Sequence, residues 1–340
     1  MEYSWFKSCA EACHRFSLEA KVLEVRDQNT DKVIALIPYK LRKEKLYRYF
    51  DVNAIYFMQL NHEYGDHYEL LIAPEYYAAT IDALALWMKE NKIDASYLKN
   101  MQHETNFRSL ISNLGQFPLL ATICERIPCS YICLPTQLKY KDWSGGKFKR
   151  IMQYKRKLEK SFQVSYLRIE THDELSQVLS HFKVMHTARF LKKGTSSSLC
   201  SDPVQFHFLE RLVHNAFDHG ILMANYITLN NQIASVEISF LIKARLFAYT
   251  VAFDESYSQY RIGSIQTLSM IERAIAQGAD VLDLLQGGEG YKQFWSKNIN
   301  FDLNLIVFPK NLYGYFLFLV TIMRSPLQKI YHTFLYLKGC

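Results

Sequence analysis

No CxxC pair occurs in these 340 residues, and no histidine stands at zinc-finger spacing from a cysteine. That argues against a structural zinc site, and no metal is expected. The seven cysteines (9, 13, 124, 129, 133, 200 and 340) are odd in number and read as reduced, mostly buried thiols of a cytosolic protein. None has an adjacent catalytic-histidine motif, so a covalent thiol route has little support. The N-terminal stretch MEYSWFKSCAEACHRF lacks a basic segment followed by an apolar core. No signal peptide is apparent, and the expected location is cytoplasmic. Helix-turn-helix, zinc-finger and RNP-like motifs are also missing, which weakens nucleic acid as a partner. The longest uncharged apolar run, LYGYFLFLVTIM from Leu312 to Met323, is too short to span a bilayer. It reads as a helix packed on its own domain. The alternative is a peripheral membrane contact over residues 312–340, at the inner face of the membrane, favoured by Lys329, Lys338, Tyr331, Phe334 and Tyr336.

What is present is ample apolar material, 49% of the residues, together with a formal charge of +7. The first supports packed cores and the length suggests two domains. The second suggests an anionic partner such as a CoA tail, a nucleotide-sugar, a membrane surface or nucleic acid.

The pattern predicts a mixed α/β layer structure. In the first 134 residues, KVLEVRD and KVIALIPYKL flank a hairpin turn, EYYAATIDALALWMKEN has helical spacing, and LATICERIPCSYICL is extended. A polar break at 135–160 follows, ending in a basic helix in which Lys147, Lys149, Arg150, Lys155, Arg156, Lys157 and Lys160 face a single acid, Glu159. That run reads as a solvated face or as a phosphate or acidic-lipid contact. Residues 161–310 alternate helix and strand, with a hairpin at Asn230 and Asn231, and 311–340 form the apolar and basic C-terminal helix.

Two glycine-bearing turns carry the chemistry. AFDESYSQYRIGS runs from a strand into a helix beginning near Gly263 and Ser264, where free N–H groups favour phosphate. LLQGGEGYKQFW leaves the next strand through Gly287 and Gly288 and opens a helix with Tyr291 and Lys292. Strand, helix, strand, glycine loop and helix line one crevice. His186 and Arg189 continue the apolar stripe Leu175, Leu179, Phe182. His186 is a candidate general base or a hydrogen-bonded core histidine. Glu237, on the face of its strand opposite Val236, Ile238 and Phe240, is the second candidate base or part of a solvent-facing side.

Those segments, with LSHFKVMHTARFLKKG, resemble the GNAT acyltransferases of the CelD/BcsL type, associated with cellulose and other polysaccharide biosynthesis, in the pattern LH..R..G, FD..Y....G, D...G...YK..W. The likeness covers residues 147 to about 300. It implies tandem GNAT-like domains in a Fem-like arrangement, acyl-CoA (acetyl-CoA) as co-substrate, and an amine or hydroxyl of a sugar or cell-envelope precursor as acceptor. It further implies catalytic roles for His186, Glu237, Asp254 and Tyr291, donor binding by Arg261, Gly263, Ser264, Gly287 and Lys292, and acceptor binding by Arg189 and Tyr257. The GNAT pyrophosphate signature is only partly met: Tyr260 stands where Gln or Arg is usual, and Ile265 where a small residue is. A Fem-like transferase using aminoacyl-tRNA, and a non-catalytic subunit of a polysaccharide machine, are the competing expectations.

Overall fold

The computed structural model describes residues 2–57, 65, 67–102, 119–135 and 146–324. The chain forms two compact units: residues 1–18 with 129–299, and residues 19–128 with 300–340. The units are therefore not two consecutive stretches divided near residue 134.

The first unit has a sheet in the order β7 (Val164–Arg168), β8 (Leu222–Leu229), β9 (Gln232–Ile242), β10 (Arg245–Phe253), β11 (Val281–Gln286) and the last residues, 129–133, of β6 (Leu119–Cys133). All neighbours are antiparallel except β10 and β11. The turn between β8 and β9 is the expected hairpin, with Asn230 and Asn231 both at positive φ, 50° and 65°. Asparagine tolerates that conformation because its short polar side chain bonds locally.

The helices are α3 (Gly146–Ser161), α4 (His172–Lys192), the short α5 (Ser198–Ser201), α6 (Pro203–Asp218), α7 (Ile262–Ala276) and α8 (Gly290–Trp295). Thr171 caps α4 by accepting the Glu174 N–H, and Asp202 caps α6 while Pro203 stands in its first turn. α7 buries Ile262, Ile265, Leu268, Met270, Ile271 and Ala274 against the sheet.

The N-terminal helix α1 (Glu2–Arg15) belongs to this unit, although it is distant in sequence. Trp5 meets Phe208 of α6 and Tyr249 of β10 edge-on, with ring centroids 4.8 and 5.9 Å apart. Arg211 donates to Glu11 at 2.6 Å, and the Asn215 amide donates to Ser8 at 2.9 Å.

In the second unit the order is β1 (Lys21–Arg26), β2 (Val33–Leu46), β3 (Phe50–Phe57), β5 (Ala95–Gln102), β12 (Asn298–Pro309) and residues 119–128 of β6, with β4 (Leu71–Ile72) beside β2. β3 and β5 are parallel, joined through α2 (Tyr77–Glu90). Each unit thus has antiparallel strands followed by one strand–helix–strand crossover, the shared pattern expected of a duplicated fold. No helix among the described residues is long and apolar enough to cross a membrane.

Of the cysteines, 13, 129 and 200 are buried, Cys9 is half-buried, and Cys124 and Cys133 are exposed, so burial is less general than the sequence suggested. Cys340 lies outside the described residues.

Candidate functional site

β10 and β11 pair for only three residues, Arg245–Phe247 against Val281–Asp283. β10 then continues to Phe253 and β11 to Gln286 without pairing to each other. Two irregularities flank the parting point: the β10 register shifts between Ala248 and Thr250, and the β11 register between Asp283 and Gln286. In the second, Leu285 is left-handed, φ 60°, and its N–H donates to the buried Asp283 carboxylate at 2.9 Å. Bulges of this kind bend a strand and increase its twist. The result is a crevice at the carboxyl ends of two parallel strands, the usual place for a ligand in an open α/β sheet.

One wall is the start of α7. Asp254 accepts the Ser256 N–H at 2.9 Å and caps a 3-10 turn, Glu255–Tyr260, so its carboxylate serves the turn. Arg261 is left-handed, φ 56°, and α7 has no side-chain cap. Ahead of Ser264, the N–H groups of Ile262 and Gly263 precede the helical bonding pattern and are suited to an anion. A Cβ on Gly263 would lie 2.8 Å from the Phe253 ring, so glycine here is set by close packing of the helix start on β10. Ser264 lies within that first turn, its own N–H donating to the Arg261 carbonyl. Tyr257 packs edge-on against Phe162, 5.5 Å between centroids, which gives it a packing role.

α3 supplies a basic rim. The Tyr154 hydroxyl is shared by Arg150 and Arg261, whose hydrogen bonds and charges lower its pKa, and Lys157 lies over the Tyr260 ring. Arg150 and Lys157 of the basic run thus lie near the α7 N-terminus, whereas Lys155 pairs with Glu272 further along that helix at 3.7 Å. The sequence shows the charges but not that Arg150 and Arg261 converge.

The other wall is the β11–α8 loop. Gly287 has φ 121°, a conformation side chains rarely adopt, and a Cβ there would also meet the Glu289 carboxylate. Lys292 is buried and turned inward: its ammonium donates to the carbonyls of Leu285, at 3.2 Å, and Gln286, and pairs with Glu289 at 3.1 Å. Its charge is spent on holding the loop rather than offered to a phosphate. Tyr291 next to it is 53% exposed. Its hydroxyl pKa is pushed up to about 12, first by desolvation and then by Glu289, with Arg189 pulling the other way. The hydroxyl stays protonated at neutral pH.

Arg189 ties α4 to this end of the sheet. It lies over the Phe253 ring at 4.6 Å, with Glu255 3.7 Å from its Nε. Lys192 reaches the same carboxylate at 3.6 Å. Glu255 was not legible as an anchor, because its partners lie far away in sequence.

His186, one turn before Arg189, is buried between Phe182 and Phe190. Its Nδ1 is 2.8 Å from Ser197 Oγ and 3.5 Å from Cys200 Sγ. Burial, then the charges of Arg189 and Lys193, depress its pKa to about 4. The ring is neutral and engaged, the arrangement of a hydrogen-bonded core histidine.

Glu237 is fully buried on the α7 side of β9, whose two faces are both covered, so the solvent-facing alternative does not hold. Asn225 donates to its Oε2 at 2.8 Å and holds Arg273 of α7 at 2.7 Å. Desolvation raises its pKa to about 7, against the opposing hydrogen bonds of Ser239 and Asn225 and the charge of Arg273. Arg189 and Gly263 thus meet Phe253 at the end of β10, Tyr291 and Gly287 lie on the helix and loop that follow β11, and Glu237 belongs to a polar layer beneath α7.

Residues 146–293 match the family described as "Acetyltransferase (GNAT) domain". A search among curated proteins finds no match. Among solved structures the chain is similar to FemX (TM-score 0.60, 9% identity, covering 92% of this chain and 93% of that one). It is also similar to the C-terminal domain of a putative lysylphosphatidylglycerol synthetase from Agrobacterium fabrum (TM-score 0.56, 10% identity, 94% and 95% covered). L-PGS from Bacillus licheniformis gives a TM-score of 0.55 at 8% identity, covering 93% and 95%. These likenesses bear on the fold, which agrees with the mixed α/β, Fem-like expectation. The protein carries a GNAT acetyltransferase domain over residues 146–293 and, by that domain, is an acyltransferase.

Proposed function

We propose that the crevice between β10 and β11 takes an acyl-CoA thioester and passes its acyl group directly to an amine or hydroxyl. The observation that carries this reading is the parting of the two strands after three residue pairs, beside an uncapped helix N-terminus rimmed by Arg150 and Arg261. A pyrophosphate fits the free N–H groups and the guanidinium groups, and a pantetheine-like arm with its amides fits strand edges that no longer bond each other. The acceptor's nitrogen or oxygen attacks the thioester carbonyl, the C–S bond breaks, and the acceptor's proton leaves to solvent through the open mouth. Tyr291 gives its proton to the departing thiolate and recovers one from water. Lys292 keeps the loop shaped, and Arg189 sets the charge around the Tyr291 hydroxyl. The CelD/BcsL-like motifs support a sugar or cell-envelope precursor as acceptor, worked on at the inner face of a membrane.

Calorimetry with acetyl-CoA and a long-chain acyl-CoA tests the donor. Saturable binding is expected, weakened about tenfold by Arg150→Ala with Arg261→Ala, since charge-assisted hydrogen bonds contribute ~1.5–3 kcal/mol before solvent screening at these exposed sites. Gly263→Val should weaken it as well, by displacing Phe253. No binding to either thioester by folded protein overturns the donor assignment. Tyr291→Phe should lower kcat about tenfold with donor affinity unchanged, a modest general-acid contribution. An unaltered kcat removes Tyr291 from the chemistry.

A second reading, transfer from aminoacyl-tRNA, is favoured by the Fem-like fold over nine-tenths of the chain and by the basic helix α3. Its signature is tRNA binding that falls steeply with salt.

A further inference from the structure

The helix over residues 312–324 presents two different faces. On one, Leu317 and Thr321 are buried and Leu317 enters a cluster with Leu46, Val52, Tyr56 and Phe308. Gly314 lies so close to the Pro309 carbonyl that a side chain would collide with it. On the other, Leu312, Tyr315, Phe316, Leu319, Ile322 and Met323 are exposed at the spacing of a single helical stripe. Leu319 is 56% exposed and Met323 65%, with no charge between them. A contiguous apolar stripe of this kind marks a contact surface.

The rim of the stripe chooses the partner. The β2–β3 turn stands against the helix: Arg324 lies over the Tyr47 ring at 4.3 Å, Phe50 meets Phe316 at 5.3 Å, and the Tyr313 hydroxyl donates to the Asp51 carbonyl at 2.9 Å. That turn ends in exposed Arg48 and in Tyr49, 77% exposed. Lys310 and Arg324 bracket the helix, and the whole chain carries +7. A second copy docked face to face would bring the same cations together, which is unfavourable. An anionic lipid surface would instead take the apolar residues below its headgroups and neutralise the arginines, while tyrosines favour the water–lipid boundary.

We infer that this face, the stripe of residues 312–323 with the 47–50 turn, is a docking surface for a membrane carrying anionic phospholipid. It deepens the membrane part of the proposed function and is independent of the acyl donor.

Flotation of the full chain with vesicles of phosphatidylcholine alone, or of equimolar phosphatidylcholine and phosphatidylglycerol, tests it without any thioester present. The native protein should float with the mixed vesicles and bind the neutral ones at least about tenfold more weakly, because basic residues near the surface are attracted to anionic lipid. Leu319→Asp with Met323→Asp, both at exposed positions, should abolish flotation while leaving the melting curve and acyl-CoA calorimetry as in the native protein. Arg48→Glu should reduce binding to the anionic vesicles severalfold. Absence of flotation with either vesicle overturns the inference, as does flotation of the double variant. Light scattering that finds a native dimer, made monomeric by the double variant and unmoved by vesicles, assigns the face to a second copy instead.

Discussion

Replacing Trp5 by alanine should lower the stability of the first unit by about 3–5 kcal/mol, the range for deleting a large buried aromatic side chain. Trp5 is 3% exposed and wedged between Phe208 of α6 and Tyr249 of β10. Tyr249 lies where the β10 register shifts, at the base of the parting strands. The loss should therefore reach beyond the N-terminus: urea unfolding should report the destabilisation, and donor affinity should fall with it. A change under about 1 kcal/mol would mean that α1 is only loosely attached to the GNAT domain, and would remove the reason for its residues to be grouped with 129–299.

Glu237 should make a contribution to stability that falls as pH rises, opposite in sign to that of the depressed His186, and Glu237→Gln should remove it. In the unfolded chain this carboxyl ionises around its ordinary 4.5, whereas in the fold it does so at about 7. Between those values this site binds fewer protons in the unfolded chain, so its contribution to stability declines with rising pH. It is flat below the first value, where both states are protonated, and flat again above the second. The span corresponds to about 3 kcal/mol at alkaline pH. The variant should match the native protein near pH 4 and exceed it near pH 8 in urea midpoints. Equal midpoints at both pH values would show that Arg273 keeps Glu237 ionised throughout, and the buried group would then be a true ion pair.

The helices and strands of residues 146–293 could be read closely from the chain. Asn230 and Asn231 announce a hairpin, Thr171 and Asp202 announce helix starts, and apolar spacing carries α4, α6 and α7. Such signals are local, arising from backbone preferences and periodic burial within a few residues. The glycine turns were legible for the same reason. The roles of the site's side chains were not. Lys292 looked like a phosphate ligand because sequence gives its charge but not its direction, and the ammonium points inward to two carbonyls. His186 looked like a base because its type permits it, yet burial between two phenylalanines and the Ser197 contact leave it neutral and occupied.

The sequence by itself determined the periodic elements, the two glycine-bearing turns, the positive charge and the GNAT-like motif order, all of which depend on neighbours close along the chain. Only the tertiary structure decided that α1 joins the GNAT unit, that β10 and β11 part after three pairs, that Arg150 and Arg261 share the Tyr154 hydroxyl, and that one face of the 312–324 helix remains bare. Those outcomes follow from contacts between distant residues, whose burial and charge pairing no local pattern encodes.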